Sequence, residues 1–249
     1  LNLFLVTCLL GLSQPPQMPE GEAGSDYNLT DSKGDKDGPW VRVYPKGSIY
    51  YLGQFEKGTP TGIFHFYYEE GGLMSVVDHL EGSAYMLVKA YNPKGEMISE
   101  GHYRESKQDG EIIKAKDGLW KFYENQALKS EEEFLLNVQH GTYKVYYSNG
   151  KIAEEAIYRN GEKDGPWRQY FESGKLRGEG DSSKGHFEGK VTYYHPNGVK
   201  LIEGKYVRGL KDGTWIKFTS SGEIEVVSSF AMGELKAERC ENGVFMKYY

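Results

Sequence analysis

The residues best suited to chemistry are the carboxylates that crowd the chain's alternating segments: Glu100, Glu131, Glu132, Glu133, Glu154, Glu155, Glu179 and Glu203. Two of them facing each other across a cleft could protonate a leaving group and activate water, as glycoside hydrolysis requires. Their spacing instead lays them in a ladder along an open sheet, where a solvated face paired with lysines is the better account. His65, His79, His102, His140, His186 and His195 stand at no metal-ligand spacing, and no His-Glu-x-x-His phrase occurs. His140 and His195 read as solvent-facing substitutions at ordinary positions of a periodic pattern. The acidic loop Asp31 to Gly38 invites a calcium reading, but its ligand positions fall on Lys33, Asp35, Asp37 and Tyr44, and two of those four cannot serve. Cys8 and Cys240 form no Cys-x-x-Cys pair. Neither a nucleophile elbow nor a phosphate loop is present. We expect no enzyme, no metal and no cofactor.

What remains is aromatic. Trp40, Trp120, Trp167 and Trp215, with Tyr123, Tyr170 and Tyr194, are large planar groups of the type that dominates protein interfaces and stacks sugars. Two readings stand side by side. The rings hold the structure together, or part of one stripe forms an extended groove for a peptide, a partner protein or a glycan.

The elements that must position these rings follow from their period. The phrase Asp-Gly-x-Trp recurs at Asp37-Gly38-Pro39-Trp40, Asp117-Gly118-Leu119-Trp120, Asp164-Gly165-Pro166-Trp167 and Asp212-Gly213-Thr214-Trp215. Degenerate copies place marker glycines at 62, 141 and 189, and successive markers mostly stand 24 residues apart. One further copy is expected at Ser83-Ala84-Tyr85-Met86, with Ala84 in the glycine's place and Arg104–Lys116 as extra chain. A period of this size means a supersecondary unit that stacks on its neighbours. Later in each unit comes Asn/Ser-Gly, as in Asn149-Gly150-Lys151 and Asn197-Gly198-Val199. Asn-Gly between apolar runs predicts a tight type I′ hairpin turn. A looser turn, such as Arg159-Asn160-Gly161, closes the unit. The glycines therefore read as turn markers. Glu124 to Gln139 has a helix-favouring composition, yet repeat phase makes it a strand. Counting the Trp as i, the i+3 position holds Tyr123, Tyr146, Tyr170 and Tyr194. An even and an odd offset in a strand point to opposite faces, so each face carries an aromatic stripe.

Gly165-Pro166-Trp167-Arg168-Gln169-Tyr170-Phe171-Glu172-Ser173-Gly174-Lys175-Leu176 and the segment Gly141 to Gly161 resemble MORN repeats of the bacterial variant type. The resemblance runs from about Asp37 to Gly233. It implies an all-β fold: about eight hairpins in one elongated, twisted antiparallel sheet. For function it implies a non-enzymatic interaction or scaffold module, and proteins of this type often carry an antitoxin-like label.

Composition narrows the partners. The chain has 249 residues, a net charge of −6 and basic residues that are always accompanied by acidic ones. A nucleic-acid surface needs a basic stripe, and none is visible. The same balance argues against docking on anionic lipids. Leu1 to Leu12 is apolar and too short to span a bilayer. It reads as a signal-peptide core over residues 1–13, with Cys8 an alternative lipidation point. Residues 14–36 read as a flexible linker, 37–236 as the repeat array with its irregularity at 83–116, and 237–249 as a C-terminal cap. The leading expectation is an exported, envelope-associated module that binds protein through a sheet face. A glycan-binding envelope protein using the aromatic ladder and a cytoplasmic antitoxin-like protein that binds a partner toxin are the alternatives.

Overall fold

The computed structural model describes residues 27–108, 111–240 and 246–248. The proposed signal peptide, Cys8 and most of the proposed linker lie outside the described residues. The chain is all-β and falls into two compact units divided between Lys114 and Ala115.

In the first unit, β1 (Gly38–Val43), β2 (Ile49–Glu56), β3 (Thr59–Tyr67), β4 (Leu73–His79), β5 (Tyr85–Tyr91) and β6 (Met97–Gln108) follow one another as an antiparallel meander. β7 (Glu111–Lys116) spans the division. The second unit begins with β8 (Gly118–Glu124), β9 (Ala127–Leu135), β10 (Val138–Tyr146), β11 (Ile152–Arg159), β12 (Glu162–Tyr170) and β13 (Leu176–Ser183). It continues through β14 (His186–Tyr194), β15 (Lys200–Val207), β16 (Leu210–Phe218), β17 (Ile224–Ala231), β18 (Glu234–Cys240) and β19 (Met246–Tyr248). Here too each strand pairs antiparallel with the next, as tandem hairpins require. Residues 124–139 run from the end of β8 through the turn Asn125-Gln126, β9 and a second turn at Leu136-Asn137 into β10.

The two turns of each repeat exchange the roles expected of them. At Asn149-Gly150 only the glycine has positive φ, at 79°. The Gly150 amide donates to Tyr147 O at 2.9 Å, and the Tyr147 amide to Lys151 O at 2.8 Å. That is a type I turn followed by a left-handed glycine, the three-residue hairpin loop. The type I′ turn lies at the other end, where Asn160 and Gly161 have φ of 52° and 85°. Lys57-Gly58, Lys184-Gly185, Arg208-Gly209 and Met232-Gly233 repeat that pair of positive φ angles.

The marker glycines are not turns. Gly38 and Gly118 begin their strands, and the others lie inside them where the pairing register jumps: Tyr158 pairs with Lys163 while Ala156 pairs with Trp167. The same jump occurs at Gly180/Asp181 and Glu203/Lys205. Each marks a bulge, where positive φ is the requirement that glycine meets. The acidic residue before the glycine has its own task. Asp37, Glu188 and Asp212 accept the amide of Lys57, Arg208 and Met232, each the first residue of the next I′ turn.

Two further differences concern phase and edge. Register pairs Phe64 with Val77, Val77 with Val88 and Val88 with Gly101. The indole position of the third repeat is therefore Val88, and Met86, not Ala84, stands where the marker glycine is expected. At the other end, residues 27–36 lie along β1. The Asn28 amide donates to Pro39 O, the Val41 amide to Asn28 Oδ1, and Thr30 bridges Lys36. Asp31 Oδ1 accepts the amides of Lys33 and Asp35, so the acidic loop spends that oxygen on its own turn.

Candidate functional site

The seven aromatic candidates do not converge on one site, because register divides them between two faces. On one face Trp120, Trp167 and Trp215 are only 2–3% exposed. Small residues on neighbouring strands make room for them. Trp167 pairs with Ala156 on one side and Gly180 on the other, and Val191 pairs with Gly180 and Gly204. Large and small groups alternate across this part of the row, with Trp167 packed on Gly180 and Trp215 on Gly204. From Trp167 the rings run on through Phe187, Tyr206 and Trp215 to Phe230, with centroids 5.0–6.3 Å apart. Such edge and tilted contacts add about 0.5–1.5 kcal/mol each to the burial of area. As placed, these three indoles hold hairpins to one another and offer no open ring face.

A lysine closes the stripe from above. Lys211 Nζ stands 4.5 Å over Trp215 and 5.0 Å over Phe230. Lys116 covers Trp120, Phe122 and Phe134 at 4.7–5.0 Å, and Lys36 covers Trp40 and Phe55 at 4.4 and 4.5 Å. The sequence signal is Lys-Asp-Gly-x-Trp, with the lysine four residues before the indole. Lys163 departs from it and pairs with Glu154. Burial and the apolar rings push the Lys116 ammonium below its ordinary pKa, partly opposed by Glu132. Trp40 is half-buried, and its Nε1 donates to Leu29 O at 3.0 Å, so the segment before β1 covers it.

The tyrosines lie on the opposite face, half-buried, and their hydroxyls are engaged. Tyr146 donates to Glu131 at 2.6 Å, Tyr170 to Glu155 at 2.6 Å and Tyr194 to Glu179 at 2.9 Å. Each pair spans 15 residues, and the pairs step by 24. The corresponding acid Glu203 meets Phe218 at that spacing, which has no hydroxyl, and turns to Lys190 and Lys200 at 3.2 and 2.9 Å. The Lys200 bond holds the Glu203 carboxyl below the usual range. Burial, then the Glu131 hydrogen bond and charge, push the Tyr146 hydroxyl up to about 12. Tyr123 is half-buried at the equivalent register position.

The acids and bases between these tyrosines form one row. Register pairs Lys121 with Glu131, Glu131 with Lys144, Lys144 with Glu155, Glu155 with Arg168 and Arg168 with Glu179. Charge alternates strand by strand, with Arg168 3.6 Å from both Glu155 and Glu179. Within this row each acid faces a base, so no two acids oppose each other there. Among the described residues no group of three His, Cys, Asp or Glu is placed to hold a metal.

Side chains at the turns tie repeat to repeat. Tyr44, Tyr68 and Tyr147 donate to the carbonyls of Tyr67, Tyr91 and Tyr170 at 2.6–2.9 Å. His195 holds the same position, its Nε2 3.0 Å from Phe218 O, so it is an inter-repeat link and not a free surface group. Asn149 and Asn197 add amide bonds to Glu172 O and Ser220 O.

The feature that sequence reading missed lies in the first unit. An open hollow of about 620 Å³ is lined by Phe66, Val77, His79, Met86, Val88 and Tyr103, among others. Val77, Val88 and Gly101 occupy the row that elsewhere carries indoles. Val191 also lacks a ring at this position, but Trp167 and Trp215 cover the glycines on either side of it; beside Val88 stand Val77 and Gly101, and the space stays open. Burial there pushes the His79 imidazole below its usual value, with Lys114 adding to the effect and Glu105 and Asp78 opposing it.

The MORN repeat variant model matches residues 139–160, 163–182 and 187–208. No characterised protein matched the chain in sequence. Among solved structures, the crystal structure of TarM aligns at 13% identity over 43% of this chain and 19% of that chain, with a TM-score of 0.27. The Tc holotoxin pore of Photorhabdus luminescens aligns at 12% identity over 85% of this chain and 14% of that one, with a TM-score of 0.22. The chain thus spans less than a fifth of either. Residues 139–208 therefore carry three consecutive MORN-variant repeats.

Proposed function

We propose that this protein is a non-enzymatic module that binds another protein through a sheet face. The observation that carries the reading is the hollow of the first unit, a concave apolar surface of about 620 Å³ where the aromatic stripe is interrupted. Pockets of this kind, lined by apolar and aromatic side chains with a few polar groups, are where partners and ligands seat. Burial of Trp120, Trp167 and Trp215 weighs against stacking sugars on the aromatic ladder. We keep export to the cell envelope as part of the proposal, resting on the apolar run Leu1 to Leu12. Mass spectrometry of the mature N-terminus tests that part.

The binding test is capture of partners by the immobilised full chain, followed by reconstitution from purified components. The reading expects a protein that binds the pure chain directly. It fails if nothing binds once purified, or if the retained component is a polysaccharide.

A further inference from the structure

Resting on that reading, we infer that the first unit's hollow receives a peptide segment whose apolar side chains are followed directly by arginine or lysine. The apolar half of this statement comes from the row itself. At the position where other repeats place an indole, β5 has Val88, flanked in register by Val77 and Gly101. Phe66, Met86 and Tyr103 stand around the gap, and Ile98 at its rim is 41% exposed. A pocket that lacks one ring of a regular stripe fits a side chain of about that bulk.

The basic half comes from charge. The hollow shares His79 and Met86 with a second depression of about 730 Å³ formed by the strand ends and the β4–β5 loop. Glu56, Asp78, Glu81 and Glu105 line it, and no lysine or arginine does. Lys57, 4.0 Å from Glu56, and Lys114, 3.5 Å from Glu105, offset two of those carboxylates, and Arg104 stands over the Tyr85 ring at the wall. An apolar seat therefore adjoins an acidic one at His79. Complementary charge beside a buried anchor fixes direction and rejects acidic competitors.

The probes are three fluorescein-labelled ten-residue peptides. The first carries Phe and Leu two residues apart followed by Arg-Arg. In the second Glu-Glu replaces the arginines, and in the third serines replace Phe and Leu. Anisotropy titrations against the full chain should show the first binding about tenfold or more tighter than the other two at low salt, and weakening as salt rises. Val88→Trp places a ring at the floor of the hollow and fills the seat, and binding should vanish while the β-sheet circular dichroism is retained. Glu81→Arg, in an exposed loop, should weaken the arginine peptide by a fewfold and strengthen the glutamate one.

Failure of the arginine peptide to bind, equal binding of the glutamate peptide, or binding that survives Val88→Trp overturns the inference. Self-association in sedimentation runs that Val88→Trp removes would put a second copy in the hollow and overturn it as well. If the peptides fail while a captured protein still binds the pure chain, this inference falls and the protein-binding reading stands. If both fail, both fall.

Discussion

Gly204→Ala tests whether the indoles are seated on glycine. A Cβ at Gly204 would stand 2.7 Å from Cε3 of Trp215 and closer still to Cδ2 and Cε2. Carbon atoms settle at about 3.5–4.0 Å, so the ring must retreat by about 1 Å or more. It has little room to do so. Trp215 is 3% exposed, with Tyr206 5.0 Å away, Phe230 6.3 Å away and Lys211 above. Forcing extra volume into such a site costs about 1–3 kcal/mol. Losing a glycine restricts the unfolded chain and returns about 0.4–1 kcal/mol. The net expectation is a destabilisation of about 1–2 kcal/mol, read as a fall in Tm of about 2–8 °C. Gly180→Ala is the internal control. Its Cβ would meet Trp167 Cζ2 at 3.1 Å, Trp167 Cε2 at 3.3 Å and Lys190 O at 3.2 Å. Small adjustments suffice there, so gain and loss nearly cancel, within about 1 kcal/mol. Thermal unfolding followed by near-ultraviolet circular dichroism measures both. Adding Trp215→Val, the residue that repeat position has at Val191, should remove most of the difference between glycine and alanine at 204. Gly204→Ala as stable as the unaltered chain, or less harmful than Gly180→Ala, would refute the large-on-small packing.

Three other outcomes follow from the same contacts. Tyr170→Phe removes the 2.6 Å bond to Glu155 and should cost about 0.5–1.5 kcal/mol in denaturant titration, since a partly buried acceptor loses its donor. Lys211→Met keeps the apolar stem and loses the ammonium over two rings; about 0.5–1 kcal/mol should go, with a shift in tryptophan emission, whereas Lys163→Met should leave the emission unchanged. Tyr146 titrates at about 12 in the folded chain against about 10 unfolded, so the folded state holds its proton longer. Its contribution is therefore complete below pH 10 and is lost as pH rises from about 10 to about 12; Tyr146→Phe should flatten the fall in Tm across that interval, and equal slopes in the two proteins would count against the assignment.

Much of this fold is written in the chain, because period and parity are written there. Trp167 and Tyr170 differ by three residues, and parity alone sends them to opposite faces. What parity does not carry is a choice between conformations that one residue type tolerates. Asparagine accepts both right- and left-handed backbone, so Asn149-Gly150 and Asn160-Gly161 look alike in sequence but form different turns. The side chain decides: Asn149 keeps its amide for Glu172 O in the next repeat. The third repeat misled for a related reason. Ser83-Ala84-Tyr85 imitates the marker phrase two residues early, and only the pairing of Val77 with Val88 corrects the phase. The hollow was illegible because it is made by a group that is not there.

That absence bears on where a repeat protein can be specific. In the regular repeats the signature residues are already committed to neighbours. Indoles cover glycines, lysines cover indoles, tyrosines hold glutamates or the next repeat's carbonyls, and the acid before the marker glycine holds the following turn. A partner binding there must displace contacts that the array needs, and gains only the difference. Every such site also has a near copy 24 residues away, so a partner bound through the signature has no unique register. A departure from the pattern escapes both limits. Val88 in place of a ring forms the floor of an apolar hollow, and Asp78 at the end of β4 and Glu81 in the β4–β5 connection lie outside the repeat signature. The array supplies rigidity, and its interruption supplies a single address.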